Sequence, residues 1–155
     1  MGADIERNMA EKGISLPNPP AKGGLYRPCQ DFGDRLVYVS GCGCSIDHPV
    51  AGKLGLDFTL EQGQQYARQS MMNVLAALKA HIGDLGRVRR AVKILVFVAG
   101  ADQFYQQPQV ANGASQLLVD VFGEEIGLPS RSAIGVNALP GNLPVEIEAI
   151  FELNP

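Results

Sequence analysis

Residues 128–153 read LPSRSAIGVNALPGNLPVEIEAIFEL, and their patterning sets the fold class. In the second half, Val145, Ile147, Ala149 and Phe151 alternate with Glu146, Glu148, Ile150 and Glu152. Successive side chains of a strand point to opposite faces, so one face of this strand is apolar and the other is rich in carboxylates. Residues 130–138 and 143–153 are both strand-like, and Leu139-Pro140-Gly141-Asn142 between them supplies a turn. Paired as a hairpin about Pro140 and Gly141, these strands would set Arg131 opposite about residue 150 and away from Glu146.

Working toward the N-terminus, Pro108 suits a first helical turn, and Val110, Ala114, Leu117, Leu118 and Val121 repeat at helical spacing as far as Gly123. Residues 91–98 are almost continuously apolar and β-branched, which predicts a central strand buried on both faces. Thr59 and Gln62 offer a capping box for a helix over 60–82, whose apolar residues Ala67, Met71, Val74, Leu75, Leu78 and Ile82 precede the stop at Gly83. Gly33-Asp34 predicts a hairpin of residues 25–30 and 35–42, followed by a loop over 43–57. Pro17, Pro19, Pro20, Gly23 and Gly24 break any regular element, so residues 1–24 read as an extended segment before one domain over 25–155. The order ββαβαββ defines an α+β domain with two helices on one face of a single mixed sheet. The other face needs cover, which predicts a homo-oligomer.

With 155 residues and a net charge of −3, the chain is long enough for a real core and lacks the basic footprint of nucleic-acid or anionic-membrane binding. The one dense basic cluster, Arg87, Arg89, Arg90 and Lys93, reads as a solvated loop end. Residues 1–13 hold no apolar run, and the reading is a soluble cytoplasmic protein without a membrane partner. Three cysteines do not suggest a disulfide framework. Cys42, Cys44 and His48 invite a zinc reading but lack an evident fourth ligand, so neither metal nor other cofactor is expected, and small buried thiols are the better account. Cys42 has no obvious paired base as a nucleophile, and Gly83-Asp84-Leu85-Gly86 lacks the phosphate-loop pattern.

The chemistry-bearing residues are Arg131 and, 15 positions later, Glu146. A guanidinium presents a planar donor fork that matches a carboxylate in two bonds, and a carboxylate of suitable pKa exchanges protons with water or an imine nitrogen. The plain alternative is a surface ion pair of a β-hairpin. Leu128-Pro129-Ser130-Arg131-Ser132 and Val145-Glu146-Ile147-Glu148-Ala149, with Ala67-Arg68-Gln69-Ser70, Asn73, Val96-Phe97-Val98 and Val39-Ser40-Gly41 in order, resemble the Rid/YjgF family. The likeness spans residues 25–153. It implies a chorismate-mutase-like fold, a homotrimer with clefts between subunits, and hydrolysis of reactive enamines or imines to 2-oxo acids and ammonia. In that reading Arg131 binds the substrate carboxylate, Glu146 positions or activates water, and Tyr26 and Ser40 line the cleft.

Gly41 would let the backbone approach a ligand, and Cys42 would contact the substrate. Because the hairpin register separates Arg131 from Glu146, either the pocket spans several strands or the glutamate comes from a neighbouring subunit, and the interface is the favoured expectation. Two positions depart from the family: Ala133 stands where a cysteine is common, and Cys42 where a glutamine is expected. The spacing from Tyr26 to Ser40 is also one residue longer. These departures bear on substrate identity and keep a second function open, a non-catalytic trimer that binds a small carboxylate for sensing or regulation. Ribonuclease activity, a third option attached to some family members, fits the acidic balance poorly.

Overall fold

The computed structural model describes residues 2–155. Five strands, β1 (Cys29–Phe32), β2 (Leu36–Gly43), β3 (Val88–Ala99), β4 (Ser130–Val136) and β5 (Val145–Leu153), form one mixed sheet in the order β1-β2-β5-β3-β4. β5 runs antiparallel to both β2 and β3, while β4 runs parallel to β3. Helices α1 (Gly2–Glu11), α2 (Leu60–Ile82), α3 (Gln107–Phe122) and α4 (Glu124–Gly127) complete an α+β architecture, with α2 and α3 packed together and against the sheet.

The alternation of β5 does what its sequence predicts. Val145, Ile147, Ala149, Phe151 and Leu153 are buried beneath the helices, and Glu146, Glu148, Ile150 and Glu152 look out from the uncovered face. At the start of α2 the Thr59 hydroxyl accepts from the backbone N–H of Gln62, and the Gln62 side chain accepts from the Thr59 N–H, so both orphan donors of the first turn are satisfied. Gly83, at φ 86°, ends the helix. Where α2 and α3 cross, Gly113 brings the backbones together: a Cβ there would run into the backbone carbonyl oxygen of Gln64.

Four expectations need correction. The strands flanking Pro140 are not a hairpin, because β5 inserts between β2 and β3 and leaves β4 on the far side of β3. The turn does form, as a 3-10 turn over Pro140–Asn142, but the connection carries the chain past β3 instead of folding it back on β4. The first strand begins at Cys29, later than residue 25, since Pro28 has no N–H to donate and the chain before it curls on itself. Strand β3 is internal, between β5 and β4, while β5 takes the centre of the sheet; a single chain buries Ile94, Val96 and Val98 of β3 but leaves Val92, Leu95 and Phe97 half-exposed. Finally, the N-terminal segment is not extended throughout: α1 packs Ile5 and Met9 into the core, and the Asn8 amide donates to the Val121 carbonyl. Two apolar residues four apart are too faint a period to announce a helix, and contact with α3 supplies the rest.

Candidate functional site

A β-bulge shapes the site. Val39 pairs with Ala149 and Cys42 with Ile147, so β2 advances three residues while β5 advances two. The extra residue keeps both Val39 and Cys42 on the buried face and sets Ser40-Gly41 apart as an irregular step. Ser40 ties this step to the chain before β1: its Oγ donates to the Arg27 carbonyl at 2.7 Å and its N–H to the Pro28 carbonyl at 2.9 Å. Beside it, a Cβ on Gly41 would sit 3.0 Å from Cδ and 3.1 Å from Oε2 of Glu146. The missing side chain at Gly41 leaves room for the Glu146 carboxylate beside the cavity that Gly41 lines.

Around this step lies a cavity of about 440 Å³, lined by Tyr26, Ser40, Gly41, Cys42 and Glu146 together with Lys22, Ala77, Pro28 and Pro140. Five of the six residues singled out from the sequence therefore meet here. The outer wall is the segment before β1, where the Gly23 N–H donates to the Tyr26 hydroxyl at 3.1 Å and the Tyr26 N–H to the Gly24 carbonyl at 3.2 Å. Burial raises the pKa of Glu146 above the usual carboxylate range, and the neighbouring Glu148 charge adds to the effect. Glu148 itself accepts from Tyr38 Oη at 2.5 Å; chiefly that bond, and then burial and the Glu148 charge, push the tyrosine up to about 12.

Arg131 is the residue the fold does not bring in. It pairs with Ile94, whose side chain is buried under the helices, and on that same face it donates to Asn112 Oδ1 at 2.8 Å and Ser115 Oγ at 3.2 Å on α3. Glu146 pairs with Phe97, three positions further along β3, and points to the uncovered face. The two residues are thus separated by two strand spacings, about 10 Å, and about 10 Å along the strands, and they lie on opposite faces of the sheet. Within one chain they share no pocket.

The thiols are accounted for by packing. Burial pushes Cys42 up to about 12, with the neighbouring Cys29 and Glu146 adding, and Cys44 up to about 11, so neither offers a ready thiolate near neutral pH. His48 sits at a different cavity, with Asp47 and Gln69, and among the described residues no three candidate ligands gather to hold a metal ion. Sequence reasoning gave no role in the site to three residues, of which Ser70 and Asn73 stood in it only as pieces of the family likeness. The buried Asn73 amide donates to the carbonyls of Gly43 at 2.9 Å and Ser45 at 3.0 Å, fixing the chain after the bulge, and Ser70 Oγ donates to Val145 just before Glu146. Both polar residues lie among the apolar positions of α2, a signal that they serve the site's framework. Lys22, among the described residues the one cation lining the cavity, carried no signal, since only the fold brings residue 22 into the same lining as Glu146.

This sheet and its helical layer belong to a known class. The chain is a member of the Rid/YjgF family: the sequence profile described as Endoribonuclease L-PSP matches residues 23–153. Protein TCP17 of Trypanosoma cruzi is 40% identical over 157 residues, covering 97% of this chain and 94% of that protein. A Salmonella typhimurium protein named 2-iminobutanoate/2-iminopropanoate deaminase is 31% identical over 142 residues, covering 90% and 95%. Among solved structures, Atu1372 from Agrobacterium tumefaciens is 37% identical with a TM-score of 0.89, covering 99% of this chain and 94% of that one. Among the described residues no helix is long and apolar enough to cross a membrane.

Proposed function

We propose that the chain hydrolyses reactive 2-imino acids, and the enamines that tautomerise to them, to 2-oxo acids and ammonia, working as a homotrimer. The single observation that carries the reading is the Glu146 carboxylate, raised in pKa and set against Gly41 in a cavity that also holds Tyr26 and Ser40. The deaminase name of the 31% identical Salmonella relative points the same way. An imine is already electrophilic at carbon, so the protein needs only to hold it and to manage protons. Glu146 takes a proton from water as the oxygen attacks the imine carbon and gives it to nitrogen, forming a carbinolamine; it then carries the hydroxyl proton to that same nitrogen, which leaves as ammonia while the carbonyl forms. One water is consumed, and no redox change occurs.

The uncovered sheet face, with Tyr38, Leu95, Phe97, Ile134 and Ile150 among its charges, calls for neighbouring copies to bury it. In such a trimer the β4 edge of one copy would meet the β1–β2 side of the next and bring a neighbour's Arg131 to the Glu146 cavity, where its fork would take the substrate carboxylate. A second reading, a trimer that binds a small carboxylate without turnover, is favoured by the engagement of Arg131 with Asn112 and Ser115, which leaves it occupied in the single chain. Ammonia release from 2-iminopropanoate decides between them. Acceleration over spontaneous decay, lost in Arg131→Ala, is expected; binding of 2-oxo acids with no acceleration would replace catalysis by sensing.

A further inference from the structure

We propose that Lys22 is a substrate-binding residue of the Glu146 cavity, a carboxylate anchor supplied by the same chain that supplies Glu146. The assignment rests on the reading above that this cavity takes 2-imino or 2-oxo acids, and it adds a residue that the motifs do not contain. Three observations lead to it. First, among the described residues Lys22 is the only cation lining the cavity and forms no ion pair. Second, the segment that carries it is held rather than loose: the Ser40 bonds to Arg27 and Pro28 pin its end to the bulge, and the Gly23 N–H to Tyr26 Oη bond closes it back on itself immediately beyond Lys22. Third, Arg131 is drawn to the opposite face by α3, so among the described residues of the chain that holds Glu146 no other guanidinium or ammonium lines this space.

The chemistry follows from the lining. A half-buried carboxylate at Glu146 repels an anionic ligand, and a cation in the same cavity offsets that repulsion and sets the ligand's direction. With its carboxylate on Lys22, a 2-imino acid presents its C=N carbon toward Glu146 and its side chain toward Cys42, Ala77, Pro28 and Pro140, a wall without charge. The flexible four-carbon stem and three donors of a lysine suit a contact at an open mouth better than a rigid fork would. An arginine arriving from a neighbouring copy would grip the same carboxylate from the other side.

The test is equilibrium binding of 2-oxobutanoate and of its uncharged amide, 2-oxobutanamide, by calorimetry on the full-length wild type, Lys22→Gln and Lys22→Arg. Lys22 is exposed and among the described residues its side chain makes no framework bond, so both variants are expected to fold with unchanged Tm. The expected result is a five- to tenfold weaker Kd for the acid in Lys22→Gln, about the worth of one charge-assisted contact, with the amide unaffected and Lys22→Arg restored. Equal affinity of wild type and Lys22→Gln for the acid, equal losses for acid and amide, or no binding of the acid by the wild type would each overturn the assignment. Ammonia assays separate this from the catalytic reading: Lys22-dependent binding in a protein that accelerates no imine hydrolysis leaves the anchor standing and removes the deaminase.

Discussion

At the scale of single residues, Glu146 and Gly41 act as one unit. Burial raises the carboxylate's pKa in the folded chain, so the stability this group contributes is fully present below the ordinary carboxylate range and is lost as pH rises through the raised value. Glu146→Gln, neutral at every pH, is therefore expected to raise Tm at pH 8 relative to wild type and to leave it nearly unchanged at pH 4, as read by calorimetry. If the glutamate is the base toward water, wild-type turnover rises with pH along a limb that starts above the ordinary carboxylate range. Glu146→Gln should abolish that limb and lower kcat by about 10²- to 10⁴-fold. Gly41→Ala would crowd the far end of the Glu146 side chain, which is able to move aside. Stability should change by less than about 1 kcal/mol, while the displaced carboxylate costs on the order of 10²-fold in kcat, a split visible by comparing melting curves with initial rates. The pairing of Arg131 and Glu146 as motif residues was legible in the sequence; their opposite faces were not, because strand alternation shows parity within a strand and not the order of strands.

At the scale of elements, the long helices were readable because their apolar spacing and caps are local. Helix α2 begins with its capping box at Thr59 and ends at Gly83 as its sequence requires. How closely α2 and α3 pack was not readable, since it depends on which glycine meets which backbone. Gly113→Ala would force the helices apart at Gln64, with an expected loss of about 3 kcal/mol and a Tm lower by on the order of 10 °C in thermal unfolding. An unshifted Tm would show that the helices slide without cost. The bulge at Ser40-Gly41 is the other element-scale device: it holds Val39 and Cys42 in the core while exposing the two residues between them to the cavity.

At the scale of the whole molecule, the sheet is covered on one face only, and Leu95, half-buried near Tyr38, Lys93 and Glu148, lies on the other. The proposed trimer would bury it. Light scattering is expected to give a mass near three chains for the wild type and one chain for Leu95→Asp, with imine hydrolysis lost in the latter if Arg131 reaches Glu146 only across the interface. A wild-type mass of one chain at assay concentration would remove the trimer. The pairs of Arg89 and Arg90 with Glu152 have exposed arginines and add little to stability at this scale; the basic cluster, expected at a loop end, lies mostly within β3, with only Arg87 in the 3-10 turn before it.

The sequence by itself determined the α+β class, the two long helices, the alternation of β5 and the identity of Glu146, because each is written in near-neighbour spacing and residue chemistry. Only the tertiary structure decided that β5 lies between β2 and β3, that Arg131 is turned toward α3, and that Lys22 and Tyr26 line the same cavity as Glu146. Those facts depend on contacts between residues far apart in the chain, and the choice among them is made by which arrangement buries the apolar face of every strand at once, a condition no single stretch of sequence can express.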